Sequence, residues 1–196
     1  MKKSFSSFLL FVIAFLNQAT AQSLKVKPVS SIRPQVQQLI HSYFQHFDGV
    51  KGDTLSQSNG SIIYSSKILP PGATESTITQ YRIGNSYSWQ ASLLHTEDFD
   101  KAVELYKKYY QQLNGMTVGL DDKSTAKLGG QFDRPEESRS FASSILELQK
   151  VSWQLRLIKV EVAMNYNFPE WTVKLLIYEK QADEDMRPTP PRDEPQ

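Results

Sequence analysis

The chain has 196 residues, with 22 Lys and Arg against 21 Asp and Glu and no cysteine. The near-balanced charge gives no reason to expect a nucleic-acid partner, whose phosphates would ask for a basic face. The lack of cysteine excludes disulfides, cysteine nucleophiles and the acceptor of a lipoprotein-type anchor, so stability has to come from a packed core.

Residues 1–21 read as a cleavable secretory signal peptide. Lys2 and Lys3 supply its positive end, the apolar run from Phe8 to Leu16 is too short to span a bilayer, and Ala19-Thr20-Ala21 is a small-x-small cleavage pattern. Cleavage there removes two lysines and no acid, leaving 20 basic against 21 acidic residues. The expected product is soluble and secreted or periplasmic, in a bacterial envelope, with no later stretch long enough to cross a membrane. Residues 22–33, punctuated by Pro28, form an N-terminal tether, and residues 34–180 are expected to be a single α+β domain.

Val36, Leu39, Ile40, Tyr43, Phe44 and Phe47 recur at helical spacing, which predicts an amphipathic helix from Gln35 to Phe47, stopped at Asp48-Gly49. Gly49 to Gly60 is polar and loop-like. Ser61 to Leu69 and Thr77 to Ile83 read as strands, and Gly84-Asn85 as a two-residue hairpin turn. Ser86 to Leu94 follows, with Tyr87, Trp89, Ala91 and Leu93 on one face and serines and Gln90 on the other. Thr96 is placed to cap a second helix, whose stripe is Phe99, Ala102, Val103, Tyr106, Tyr110 and Leu113 and whose end is Asn114-Gly115.

A short strand through Met116, Val118 and Leu120 is expected next, then a polar stretch from Asp121 to Lys127 and a strand around Leu128 to Phe132. Ser138 to Gln149 fits helix and strand spacing alike, and its serines and strand neighbours favour strand. Val160 to Phe168 and Trp171 to Ile177 alternate cleanly about Phe168-Pro169-Glu170, a hairpin. From Gln181 onward acids and prolines predict a disordered tail over 181–196. The predicted fold class is α+β, a mainly antiparallel sheet with two amphipathic helices packed on one face, in the order α-β-β-β-α-β-β-β-β.

Chemistry-bearing residues form no motif. His41, His46 and His95 have no fixed partner, no Gly-x-Ser-x-Gly elbow is present, and five-residue spacing turns His41 and His46 to different sides of a helix. Asp121-Asp122 and Glu136-Glu137 lack the alternating ligands of a calcium loop, and Gly129-Gly130 lacks the spacing and the Lys-Ser/Thr of a phosphate loop. Glu97, Asp98 and Asp100 supply carboxylates for glycoside hydrolysis, but only a three-dimensional separation would make a pair of them. Trp89 and Trp171 fall on buried strand phases and read as core, and Trp153 joins the nine tyrosines as a further aromatic. No cofactor, metal or catalytic residue is expected.

One irregularity remains. Leu176 and Tyr178 share the outward phase of the last strand with Thr172 and Lys174, so that strand is apolar on both faces. Lys174, Leu176 and Tyr178 are therefore the expected partner-binding residues of a non-enzymatic exported module acting on an envelope or extracellular protein. The alternatives are a carrier of a small apolar ligand, held between helices and sheet, and a carboxylate-based hydrolase.

Overall fold

The computed structural model describes residues 31–120 and 123–180, the Trp153 side chain excepted. The expected signal peptide, most of the tether, Asp121-Asp122 and the 181–196 tail lie outside the described residues. The elements are α1 (Arg33–Tyr43), β1 (Lys51–Gln57), β2 (Ser61–Ser66), β3 (Glu75–Tyr81), β4 (Ser86–Thr96), α2 (Phe99–Leu113), β5 (Thr117–Gly119), β6 (Thr125–Gly129), β7 (Phe141–Gln149), α3 (Trp153–Arg156), β8 (Ile158–Asn167) and β9 (Glu170–Glu179).

The strands form one nine-stranded antiparallel sheet in the order β1-β2-β3-β4-β9-β8-β7-β6-β5. The α+β class with an antiparallel sheet is as the sequence implies, but the element order differs: β1 and the one-turn α3 are additional, and the five segments read as strands after the second helix are all present where the expected order counted four. Two meanders build the sheet. The first runs β1 to β4, α2 carries the chain away to the far edge, and the second runs β5 to β9 until β9 pairs with β4.

Strand alternation sorts the side chains onto two faces. Ile78, Trp89 and Ala91 of the first meander share the inner face with Leu146, Val160, Val162, Met164, Val173, Leu175 and Ile177 of the second, all buried. Each large aliphatic side chain so buried contributes about 1.5–3 kcal/mol of hydrophobic stabilisation. Helix α2 lies across β4, β9 and β8, burying Ala102, Tyr106, Tyr109 and Leu113. Tyr109 replaces the expected Tyr110 at the centre of the stripe, and Tyr110, half-buried, donates its hydroxyl to the Gly130 carbonyl. Helix α1 is tied to the end of α2 by Arg33, whose Nε donates to the Gln112 carbonyl, and to β5 by Gln37, which exchanges two hydrogen bonds with Gly119. Ile32, in the expected tether, is fully buried.

Several local expectations are corrected. Helix α1 stops at Tyr43 instead of Phe47, because His46 and Phe47 adopt positive φ (53° and 58°) and the turn swings the Phe47 side chain into the core. Residues 51–57 are not a loop but the edge strand β1, mostly exposed and held to β2 by its backbone through two register shifts. The β3–β4 connection spans four residues, Arg82 to Asn85, with Gly84 and Asn85 both at positive φ, rather than two. Asp98, not Thr96, caps α2: its carboxylate accepts from the Lys101 amide, while the Thr96 hydroxyl accepts from the Asp98 amide within the preceding turn. The strand expected at 128–132 is β6 at 125–129, because the backbone at Gly130 presses against β7. A Cβ on Gly130 would collide with the Ile145 carbonyl oxygen. The ambiguous segment before Gln149 is strand β7, with Ala142, Ser144, Leu146 and Leu148 buried as a strand face requires.

A buried polar contact fastens α2 to β7. The Tyr106 hydroxyl lies 2.6 Å from Ser144 Oγ and donates to the Asp133 carbonyl at 3.0 Å, and burial pushes the Tyr106 phenol up to about 12. Tyr106→Phe is expected to lower unfolding free energy by about 1–2 kcal/mol in urea titrations, since it strips a partner from a buried hydroxyl. Gly130→Ala is expected to cost about 2 kcal/mol or more in the same measurement, because backbone rather than a flexible side chain blocks the added methyl.

Candidate functional site

The outer face of the sheet is set by the same registers. Across four strands, Gln90, Leu176, Glu161 and Ile145 are successive cross-strand partners, and beside them runs the row Thr79, Ser88, Tyr178, Lys159 and Glu147. This face mixes apolar, aromatic and polar side chains, with Leu176 and Tyr178 half-buried and Ile145 exposed.

Glu161 is the pivot of that face. Its Oε2 accepts from the Tyr178 hydroxyl at 2.7 Å and its Oε1 from Ser143 Oγ at 2.5 Å. Burial, then the bond to Glu161, raises the Tyr178 phenol far above its ordinary range, so it stays a donor at any physiological pH. Ser143 is itself positioned from behind: its backbone N–H donates to Asp133 Oδ2, and both Asp133 carboxylate oxygens accept from Arg139 at 3.0 Å. Arg139, Asp133, Ser143, Glu161 and Tyr178 thus form one continuous chain of polar contacts from the 130–140 loop to β9. Lys159, the cross-strand neighbour of Tyr178, turns away to Glu147 at 2.6 Å and to the Arg156 carbonyl.

A cavity of about 620 Å³ opens on this face where β3, β4, β9 and β8 meet. Tyr81, Ile83, Gln90, Glu161, Leu176 and Tyr178 are among the residues that line it, and Ser88 on its floor donates to the Tyr81 hydroxyl at 3.4 Å. Ile83 is 83% exposed. A second cavity of about 240 Å³ lies beside the end of α1, where His46 stacks on Tyr87 at 4.9 Å between ring centres. The two share Ser86, Tyr87 and Glu179, and Glu179 accepts from the Tyr43 hydroxyl at 2.6 Å.

Of the residues expected to bind a partner, Leu176 and Tyr178 both line the larger cavity. Lys174 is on the same face but lies opposite Ser92 and Ala163, outside the lining. Tyr81, Ile83, Gln90 and Glu161 escape a reading of the sequence. Two of them left a signal there: Ile83 is an aliphatic residue beside a Gly-Asn turn, and Glu161 is a lone charge between two valines, which marks the side of β8 that the core does not take.

The other chemistry-bearing residues stay apart. His95 Nδ1 is 3.9 Å from Glu170 Oε2, both largely exposed, and His46 packs on an aromatic ring. Asp98 pairs with Lys101 at 3.0 Å within the α2 cap. Among the described residues no three His, Cys, Asp or Glu side chains are arranged to hold a metal ion, and no helix is long and apolar enough to cross a membrane. Trp89 and Trp171 are core residues, as their strand phase implies. The Gly129-Gly130 pair serves the close approach to β7.

No protein-family model matches the chain, and no curated protein and no solved structure is significantly similar to it.

The Arg139 guanidinium and the Ser143 amide hold the Asp133 carboxyl below the usual carboxylate range. A folded-state pKa below the unfolded value adds stability above about pH 4 that is lost as pH falls through the folded value. Asp133→Asn is expected to flatten the acid side of the stability profile in urea titrations run at successive pH values, with the difference from the parent shrinking in high salt because the pair is partly exposed. Tyr178→Phe removes a donor from Glu161 and is expected to cost about 1–2 kcal/mol in the same assay at neutral pH.

Proposed function

We propose that the chain is an exported, non-enzymatic binding module that holds an envelope or extracellular protein on the outer face of its sheet, at the cavity bounded by Tyr81, Ile83, Leu176 and Tyr178. The observation that carries this reading is the coincidence of two features. The outward phase of β9 bears apolar and aromatic side chains, and the 620 Å³ cavity opens over those same side chains. A solvated sheet face ordinarily alternates to polar residues, and a contiguous apolar region with a polar rim is the usual form of a recognition surface.

Export rests on the Lys2-Lys3 end, the apolar run and the Ala19-Thr20-Ala21 pattern. Mass spectrometry of the protein recovered from the periplasm or medium of an expressing bacterium is expected to show a chain beginning at Gln22. A product that retains Met1 and stays with the cytoplasmic fraction would reject the export reading.

The surface is tested by capture from envelope extract with residues 22–196 and the variants Ile83→Asp and Leu176→Asp. Ile83 is exposed at a turn, so its substitution should leave the thermal midpoint unchanged. Both variants are expected to retain less than about a tenth of the captured partner, the loss typical of a central contact in a protein interface. Undiminished capture by two folded variants would move the site elsewhere.

A second reading has its own support in the cavity's size, which falls within the range of about 300–1,000 Å³ common to small-molecule sites. In that reading the chain carries a small apolar ligand on the outer face rather than between helices and sheet. Native mass spectrometry distinguishes the two, because a carrier would leave the cell with a defined adduct that Leu176→Asp removes.

A further inference from the structure

We propose that the outer-face cavity selects a cationic side chain, the Arg or Lys of a segment of the protein partner, with Glu161 as the counter-charge. The inference rests on the outer face being the binding site and adds what that site recognises. Its ground is charge complementarity. Among the described residues the lining contains two acids, Glu161 and Glu179, and no Lys, Arg or His.

Glu161 is half-buried, and its hydrogen-bond donors are two neutral hydroxyls, from Ser143 and Tyr178. Those bonds orient the carboxylate without neutralising it. Of the lysines near it on the same face, Lys159 is spent on Glu147 and on the Arg156 carbonyl, and Lys174, diagonal to Glu161 across β9, lies outside the lining. A carboxylate offers about four lone-pair positions, so two remain for an incoming donor after Ser143 and Tyr178 are served. Glu179, at the lip, is on the inward phase of β9 with Ile177 and accepts from the Tyr43 hydroxyl of α1, which leaves Glu161 as the acid of the outer face. Around Glu161 stand Tyr81, Tyr178, Ile83 and Leu176. That is the environment in which a long basic side chain buries its methylenes and sets its charge against aromatic faces and a carboxylate. An anionic or purely aliphatic segment would leave Glu161 desolvated and unpaired.

The test uses residues 22–196 labelled with nitrogen-15 and three blocked pentapeptides, Ala-Leu-X-Leu-Ala, in which X is Arg, Gln or Glu, followed by amide chemical-shift titration. The Arg peptide is expected to shift the amides of residues 79–90, 161 and 176–178 and to bind about tenfold or more tightly than the Gln peptide, the scale of a charge-assisted hydrogen bond, with the Glu peptide weakest. Glu161→Gln leaves one carbonyl acceptor, so one of the two hydroxyls goes on donating while the other turns to accept from the new amide. The variant, shown to be folded by its thermal midpoint, is expected to bring the Arg and Gln peptides to equal affinity. Tyr81→Ala should weaken both together. Equal binding of the Arg and Gln peptides to the parent protein at this cavity would overturn the cation preference while leaving the outer-face reading intact. Shifts confined to other regions would overturn both. Butylguanidinium binding as tightly as the Arg peptide would overturn the assignment to a protein segment in favour of a small organic cation.

Discussion

The pairing of β4 with β9 is the contact on which the rest of the structure depends. It joins two meanders that are each formed by neighbouring segments, and it does so between the fourth strand and the ninth. From Ser88 opposite Tyr178 to Thr96 opposite Trp171, the register puts Trp89 against Ile177 and Ala91 against Leu175 beneath α2. A slip of one residue would carry every one of those side chains to the other face, so burial under the helix locks the alignment. The bulge between Ser92 and Leu94 lets the strand keep Leu93 buried while setting Leu94 opposite Val173.

The same register creates the outer face. Because Trp89 and Ile177 face inward, Ser88 and Gln90 must stand beside Tyr178 and Leu176 on the other side, and the small Ser88 beside the large Tyr178 lies in the lining of the hollow. Glu161 enters it from β8 by the same logic, between buried Val160 and Val162. What holds it in place lies further off, in the 130–140 loop, where Asp133 is clamped by Arg139 and in turn fixes Ser143. That loop touches both layers: Asp133 reaches the outer face through Ser143, and its carbonyl accepts the Tyr106 hydroxyl of α2 from the inner one. Adjacent residues of β7, Ser143 and Ser144, point to opposite faces and meet the loop from either side.

Much of the fold was legible where one face of an element is buried. The stripe of α2, the alternation of β4, β8 and β9, and the stop at Asn114-Gly115 with Gly115 at positive φ are all written as periodicity or turn chemistry, whereas β7 fits two periods and is read from its serines and neighbours. Strand β1 was not, because an exposed edge strand held by backbone hydrogen bonds places no demand on its side chains, and Lys51 to Gln57 reads as loop. The early end of α1 was hidden for a different reason. Phe47 continues the helical spacing yet reaches the core through a turn, and periodicity records burial rather than the path that achieves it. Of the cavity, Leu176 and Tyr178 announced themselves by breaking the alternation, whereas Tyr81 and Glu161 looked like ordinary outward residues.

The antiparallel α+β character, the reliance on a core without disulfides, and the presence of one strand apolar on both sides are readable from the residues alone. These are local or compositional properties, dictated by side-chain period and residue type. It took the folded chain to set β9 at the centre of nine strands beside β4, to draw Lys159 off to Glu147, and to give Glu161 two hydroxyl partners among the described residues at the edge of a cavity. Those outcomes depend on which distant segments become neighbours and on how each charge is partnered across strands, and no spacing within a single segment records either.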